Sequence, residues 1–389
     1  MGCTHPYWSA LQVGSQHLAR QFARHGWKVH YFSAPISLLH LPELFSAEVI
    51  KRLQCAIQCQ TIHANGMIRS YVPFSLIVPA GNCLLRHKVV IHNWFRTMVP
   101  PLKSIQHKSG FERISLLYID NLSYHFLLDQ FSYQKSIFRV MDMHERFPGW
   151  EGEARNLAQK IARQADVTVY SAQGLEKYVD TLGYSKSALV PNGVDFDFFN
   201  FQTSSAQKHP FFKNIPDPVL LYTGMIDSRL DFRLIRSAAY RLPHVSFVFA
   251  GPVGISHRLS DLPANIYLIG PVPHAQLPDL IRSAAAGLIP FDVDNQMDLI
   301  QGIRPLKLFE YLAAGIPVIS AKWPELERMN SPAWLYENEQ EFIEFVHKAT
   351  DNKYDHMAAM NFAKQHDWKH SFELMLNALE TGVYTSKSH

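Results

Sequence analysis

Residues 302–320 read GIRPLKLFEYLAAGIPVIS. Pro305 opens a mostly apolar helix, Gly315-Ile316-Pro317 ends it, and the residues after it read as a buried strand. A helix that feeds a buried strand is the repeating unit of a parallel α/β sheet. Two charges interrupt the apolar face, Lys307 and Glu310, three residues apart. On a solvated helix such a pair is an ion pair worth about a few tenths of a kcal/mol. At a helix start aimed at strand ends it is a seat for a ligand. The free amides and the dipole favour an anion there. Lys307 adds a full charge in the first turn, and Arg304 adds another. Glu310, one turn deeper, suits vicinal hydroxyls such as those of a ribose, because a carboxylate accepts two hydrogen bonds. Cation, helix N-terminus and hydroxyl acceptor describe a nucleoside diphosphate site, and Leu308 in the same turn joins the candidate set. The flanking strand and the Gly-x-Pro favour this reading over the ion pair.

The surrounding chain repeats the same alternation. VGSQHLARQFARHGWKVHYF places Leu18, Phe22 and Ala23 at helical spacing, Gly26 at a C-cap and a strand after it. Only Met1, Gly2 and Cys3 precede this unit, which predicts a stunted first strand or a chain start upstream of Met1. MIRSYVPF, KVVIHNWF, RISLLYIDN and SIFRVMD are strand candidates, and SALVPNGVDFDFF closes the first half. FQTSSAQKHPFFKNIPDP (201–218) reads as a linker. PVLLYTGMI, VSFVFAGPVG and NIYLIGPVP then open a second half, and residues 361–379 read as one amphipathic helix. The fold class is therefore α/β, two doubly wound parallel-sheet domains facing a cleft: 1–200, 201–360, and a helix at 361–389 crossing back. Ligands of such sheets bind beyond the C-terminal strand ends.

Further candidates lie at those ends. YTGMIDSRLD (222–231) places Gly224 where a ligand approaches closely, with Met225 beside it and Arg229 within reach of phosphate. Asp227 and Ser228 serve equally well as helix caps. Gly251 opens a weaker strand-end glycine loop. DVDNQMD (292–298) lacks the ligand spacing of a calcium loop and reads as a solvated loop, so no metal site is expected.

These stretches together resemble the GT-B fold glycosyltransferases, in particular the group-1 family of cell-surface polysaccharide enzymes. The matching segments are GSQHLARQFARHGWKV, ADVTVYSAQGL, VPNGVDFDFF, LLYTGMI and PLKLFEYLAAGIPVIS, spread over almost the whole chain. The resemblance implies a nucleotide-diphosphate sugar of UDP or GDP type as donor substrate, no cofactor and no metal. It makes Glu310 the ribose-binding glutamate and Lys307 a stabiliser of the leaving diphosphate. The family's other glutamate, eight residues earlier, is replaced here by Gly302. Met225 and Arg229 stand where the family often carries Arg and Lys. RVMDMHERFPGW (139–150) resembles the segment that carries the general base of the glucuronosyltransferase of xanthan assembly. That makes Asp142 a candidate base, a turn cap being the alternative, with His144 and Glu145 beside it. His5 and Trp8, on the first strand-end loop, are candidates to touch the acceptor.

Composition bounds the rest. The chain has 389 residues, 47% hydrophobic and 18% charged, with a net charge of +3. That is a globular chain with room for two cores. No apolar run reaches membrane-spanning length. The cysteines Cys3, Cys55, Cys59 and Cys83 are read as reduced thiols. No Asp or Glu occurs from Val49 to Phe111, whereas Lys51, Arg52, Arg69, Arg86, Lys88, Arg96, Lys103 and Lys108 do. With Trp94, Phe95, Met98 and Val99 interleaved, this stretch suits an anionic membrane surface, a solvated basic face being the plainer alternative. No nucleic-acid motif is present. The expectation is a cytoplasmic glycosyltransferase, peripheral on the inner face of the membrane, with a saccharide or lipid-linked acceptor. A nucleotide-sugar epimerase of the same fold and a non-catalytic binding protein are the alternatives.

Overall fold

The structure, a computed structural model of the chain, describes residues 1–39, 46–79, 85, 87–143, 145, 152–200, 208–254, 261–350 and 354–381. The chain forms two compact units, Met1–Pro191 with Phe372–His389, and Asn192–Ser371. VPNGVDFDFF therefore divides at Pro191–Asn192 rather than closing the first half, and the chain re-enters the first unit at Phe372 rather than at 361.

The first unit is built on one sheet in two parts. Val29–Phe32, Ile68–Tyr71 and Thr61–His63 form one part, and Ile114–Ile119, Tyr133–Val140, Val167–Tyr170 and Ser187–Leu189 the other. Gly2 joins them, pairing in parallel with both Phe32 and Ile119. The stunted first strand is thus one residue wide. It works because Gly2 N–H donates to Tyr118 O at 2.8 Å and Cys3 N–H to Phe32 O at 2.7 Å. A Cβ on Gly2 would meet Tyr124 Cβ at 2.7 Å, so the closeness needs glycine. The order of strands reverses at Gly2, which makes the loop after it and the residues after Ile119 the switch point where such sheets bind ligands.

The second unit has six parallel strands in the order Ile266–Leu268, Ser246–Ala250, Val219–Thr223, Ala286–Ile289, Val318–Ala321, Trp334–Tyr336. All residues of Val219–Thr223, Ser246–Ala250, Ala286–Ile289 and Val318–Ala321 are buried, as expected of strands covered on both faces. Here the order reverses between Val219–Thr223 and Ala286–Ile289, so Gly224 and Phe291 flank the switch point.

Several local expectations are corrected. KVVIHNWF is not a strand but a helix, Lys88–Asn93, running into a tight turn at Trp94–Thr97. Ile91 and Trp94, three apart, are buried on one side, and that spacing overrides the β-branched residues. DVDNQMD is not a loop but the start of the helix Val293–Ile300, capped by Asp292, which accepts from Asn295 N at 3.2 Å. Residues 361–379 span two helices, His356–Gln365 and Trp368–Thr381. They are broken where Asp367 pairs with Val194 and accepts from Phe196 N at 3.0 Å. Within the expected linker, Phe212 and Ile215 belong to the second core; residues 201–207 lie outside the described ones. The three described cysteines, Cys3, Cys55 and Cys59, carry free thiols; Cys83 is not among the described residues. Among the described residues no helix is long and apolar enough to cross a membrane.

Candidate functional site

Lys307 and Glu310 stand on the helix Leu306–Ala313, whose N-cap is Pro305. Proline offers no capping side chain, so apart from the Leu308 amide, which Pro305 O takes at 3.2 Å, the first-turn amides are left for something else. The strand Val219–Thr223 ends beside this turn. Gly224 follows it with φ +129, and a Cβ there would lie 3.4 Å from Lys307 Nζ. Glycine, cation and helix start thus converge at the switch point.

Lys307 is held by rings rather than by a carboxylate. Its Nζ lies 4.8 Å from the centre of Tyr222 and 5.3 Å from that of Phe291. Burial, with Arg229 adding to it, brings its ammonium down to about 8, against the opposing pull of Glu310 and Asp227. Glu310 is 8% exposed. Burial pushes its carboxyl up to about 7, with Lys307 the opposing charge. Among the described residues none donates a hydrogen bond to that carboxylate, and no ion pair joins it to Lys307. The alternative of a surface ion pair is thereby set aside. A buried carboxylate with no partner is costly, and one facing an open helix start is suited to hydroxyls from outside.

The other candidates divide. Gly251 is pressed against Gly224, a Cβ on it lying 1.8 Å from the Gly224 carbonyl oxygen, so the two strand-end loops touch through their backbones. Met225 contributes its carbonyl, which accepts from Tyr222 OH at 2.8 Å and fixes the ring under Lys307. Arg229 donates from Nε to both oxygens of Asp227, at 3.0 and 3.1 Å. Arg304 departs from the expected role. Its guanidinium is turned to buried Glu325 at 3.9 Å and over Phe309, and burial lowers it. Leu308 is wholly buried in the core and its amide is taken by Pro305 O at 3.2 Å, so its part is structural.

Sequence reasoning missed Tyr222, Phe291 and Tyr311. Tyr311 OH accepts from Thr223 N at 2.8 Å and ties the strand end to the helix. Its ring lies so close to Gly287 that a Cβ there would be 2.2 Å away. Asn192, within the quoted VPNGVD, donates to Arg304 O at 2.9 Å and steadies the approach to the helix.

In the first unit Asp142 is half-buried on a bend beyond Tyr133–Val140. His144 lies outside the described residues. His5 is half-buried; burial lowers its imidazole, and its carbonyl accepts from Tyr31 OH at 3.0 Å. Trp8 packs on the small cluster around Ile36, Val49 and Val72, with Lys51 Nζ 4.2 Å above its ring and, among the described residues, no partner for its indole N–H. Asp120, unnoticed in sequence, is fully buried beyond Ile114–Ile119. It accepts from Ser15 Oγ and from Tyr118 OH, the latter at 3.0 Å, and so moors the start of the helix Gly14–Arg24. Among the described residues no His, Cys, Asp or Glu cluster is arranged to hold a metal.

The fold has counterparts among known proteins. Sucrose-phosphate synthase of Thermosynechococcus elongatus superimposes with a TM-score of 0.67 at 12% identity, covering 97% of this chain and 98% of that one. Anabaena HepE, solved with UDP and glucose, superimposes at 0.63 and 11% identity, over 98% and 99% of the two chains. The family model for the glucuronosyltransferase GumK N-terminal domain matches residues 1–171, and the one described as glycosyl transferase-like matches 231–377. The chain has the GT-B fold. Its sequence is 30% identical over 234 residues to a Bacillus subtilis (strain 168) glycosyltransferase named for teichuronic acid biosynthesis, TuaH. That match spans 56% of this chain and 57% of the relative, a little over half of either. In this GT-B chain the donor-side candidates Gly224, Lys307 and Glu310 lie in the second unit, and Asp142, His5 and Trp8 in the first.

Proposed function

We propose that the chain transfers a sugar from a nucleoside diphosphate sugar to a saccharide acceptor in cell-surface polysaccharide assembly. The observation that carries this is the Glu310 carboxylate, without a partner among the described residues, beside ring-held Lys307 at a helix start with no capping side chain. Lys307 and the first-turn amides stabilise charge as it builds on the leaving diphosphate, and Glu310 holds the ribose. No metal is required for this arrangement, because cation and helix dipole already face the diphosphate. Asp142 is the proposed base, drawing the proton from the acceptor hydroxyl. The acid-free stretch 49–111 supports an acceptor that is lipid-linked and a site of action in the cytoplasm, peripheral on the inner membrane face. A nucleotide-sugar epimerase, which releases its product free, has no use for such a stretch.

The test is thermal stability with UDP, GDP, ADP and CMP, for the native chain and Lys307→Ala. A ligand at about a hundred times its Kd adds about 2.7 kcal/mol to stability. One nucleoside diphosphate should raise the midpoint, and the rise should vanish in the variant. The HepE structures with UDP and with UDP-glucose make UDP the first arm to run. No rise with any nucleotide on a folded native chain would overturn the transferase reading and leave a binding protein.

A further inference from the structure

Among the described residues fourteen large apolar side chains are exposed, and nine of them fall between Leu38 and Val99. Such residues are ordinarily scattered singly over a surface, so their concentration calls for a partner. Five of the nine belong to one small ladder. Ile36 pairs in parallel with Phe74, and Phe74–Ser75 pairs antiparallel with Met98–Val99. Ser75 N donates to Ile36 O at 2.9 Å and Leu76 N to Thr97 O at 3.1 Å. Leu38 and Leu39 leave this ladder just past Ile36, Leu76 and Ile77 just past Ser75, and Val99 is the residue opposite Phe74.

The interior of the ladder is satisfied. Ser75 Oγ donates to Trp94 O at 2.9 Å, and Trp94 and Met98 are 1% and 3% exposed. This corrects the sequence reading, which gave the membrane contact to Trp94, Phe95, Met98 and Val99. Of those four only Val99, at 53%, is exposed. Leu38 and Leu76, each 51% exposed, with Leu39 and Ile77, take the place of the buried residues.

Charge decides what covers them. Lys88, Arg96 and Lys103 flank the ladder in sequence and are exposed; the stretch 49–111 contains no acid of its own, and Glu153, which meets His92 at 2.6 Å, is a carboxylate that Lys88 feels. The interior of a protein interface is depleted of lysine. A second copy of this chain would set like-charged rims against each other, which disfavours self-association. Apolar tips inside a Lys/Arg rim are the pattern of an interfacial membrane contact. The ladder also lies just beyond the C-terminal ends of Val29–Phe32 and Ile68–Tyr71, the edge on which His5, Trp8 and Asp142 open.

We infer that this ladder is a bilayer anchor. Leu38, Leu39, Leu76, Ile77 and Val99 enter the boundary between headgroups and acyl chains, and the cations meet anionic headgroups. The inference rests on the proposed action at a membrane and names the surface that makes the contact.

Vesicle flotation tests it, with phosphatidylcholine alone and with phosphatidylcholine containing phosphatidylglycerol. The native chain should float with the anionic vesicles and release as salt rises. Leu76→Asp combined with Ile77→Asp should abolish flotation. Each of Lys88→Ser, Arg96→Ser and Lys103→Ser should weaken partition about fivefold. The UDP-induced rise in thermal midpoint should persist in all of these variants, which shows that they fold. No flotation of the native chain, or flotation indifferent to the Leu76/Ile77 change, would overturn the anchor. So would equal flotation on neutral vesicles, or a dimer in solution that the same change dissociates. Flotation without any nucleotide response would instead sink the transferase reading and leave the anchor standing.

Discussion

Gly251 and Gly224 touch so closely that a methyl group on Gly251 would lie 1.8 Å from the Gly224 carbonyl oxygen. The contact is backbone on backbone, so neither side can yield by turning a side chain. It holds the loop after Ser246–Ala250 against the loop that faces Lys307. Gly251→Ala must part the two loops, and overpacking of this kind costs about 1–3 kcal/mol. For a unit of the size of Asn192–Ser371 the midpoint of its unfolding should fall by about 2–4 °C per kcal/mol. Nucleotide binding should weaken with it, because Gly224 moves. Differential scanning calorimetry with and without UDP reads both effects.

Lys307 and Glu310 make stability depend on pH in opposite senses. Glu310 is pushed up to about 7 from an ordinary 4.5, so the folded state binds the proton more tightly. Its contribution is fully present below pH 4.5 and is lost as pH rises through 7, a loss of up to about 3 kcal/mol. Lys307 is brought down to about 8 from 10.5, so its contribution is present above 10.5 and is lost as pH falls through 8. The nucleotide-free chain should therefore be least stable between about pH 7 and 8, where both groups are charged. Glu310→Gln should remove the loss on the acid side. Urea midpoints from pH 5 to 9 would show it, and a native profile identical to that of Glu310→Gln would refute the account.

The regular parts of this arrangement were legible because they depend on neighbours in sequence. VLLYT is an unbroken apolar run between turns, and Pro305 with Gly315 marks both ends of the helix that carries Lys307. What surrounds Lys307 was not legible. Tyr222 lies in one strand and Phe291 just past the end of another, and those two strands are adjacent only because the sheet order reverses there. Asp120 beneath Ser15 depends in the same way on the reversal at Gly2, and Gly251 against Gly224 depends on the pairing of the two strands that precede them. The contact of Arg304 with Glu325 was not legible because Glu325 stands beyond the next strand. In KVVIHNWF the β-branched run argued for a strand, whereas one buried side formed by Ile91 and Trp94 settled on a helix.

Glu310 makes a further prediction for binding. A ribose needs the ionised carboxylate as acceptor, and with the free group near 7 the ionised fraction grows through neutrality. Affinity for the nucleoside diphosphate should rise about tenfold from pH 6 to pH 8, following that fraction. In Glu310→Gln affinity should be lower, and the part of the pH dependence that Glu310 supplies should disappear. Isothermal titration at the two pH values, on both proteins, gives the comparison. An unchanged pH dependence in the variant would take the ribose contact away from Glu310.

Asp142 separates chemistry from donor binding. It belongs to the first unit and Lys307 to the second, so a change at one should leave the nucleotide response of the other intact. Asp142→Asn keeps the size and removes the basicity. Loss of a positioned base costs about 10²–10⁴-fold in turnover. The expected result is a fall in kcat of that order with the UDP-induced rise in thermal midpoint unchanged. Should turnover survive while the fold holds, Asp142 is the turn cap that its position on the bend after Val140 also suits. The base would then be sought at Glu145, the other carboxylate that follows this strand and is half-buried.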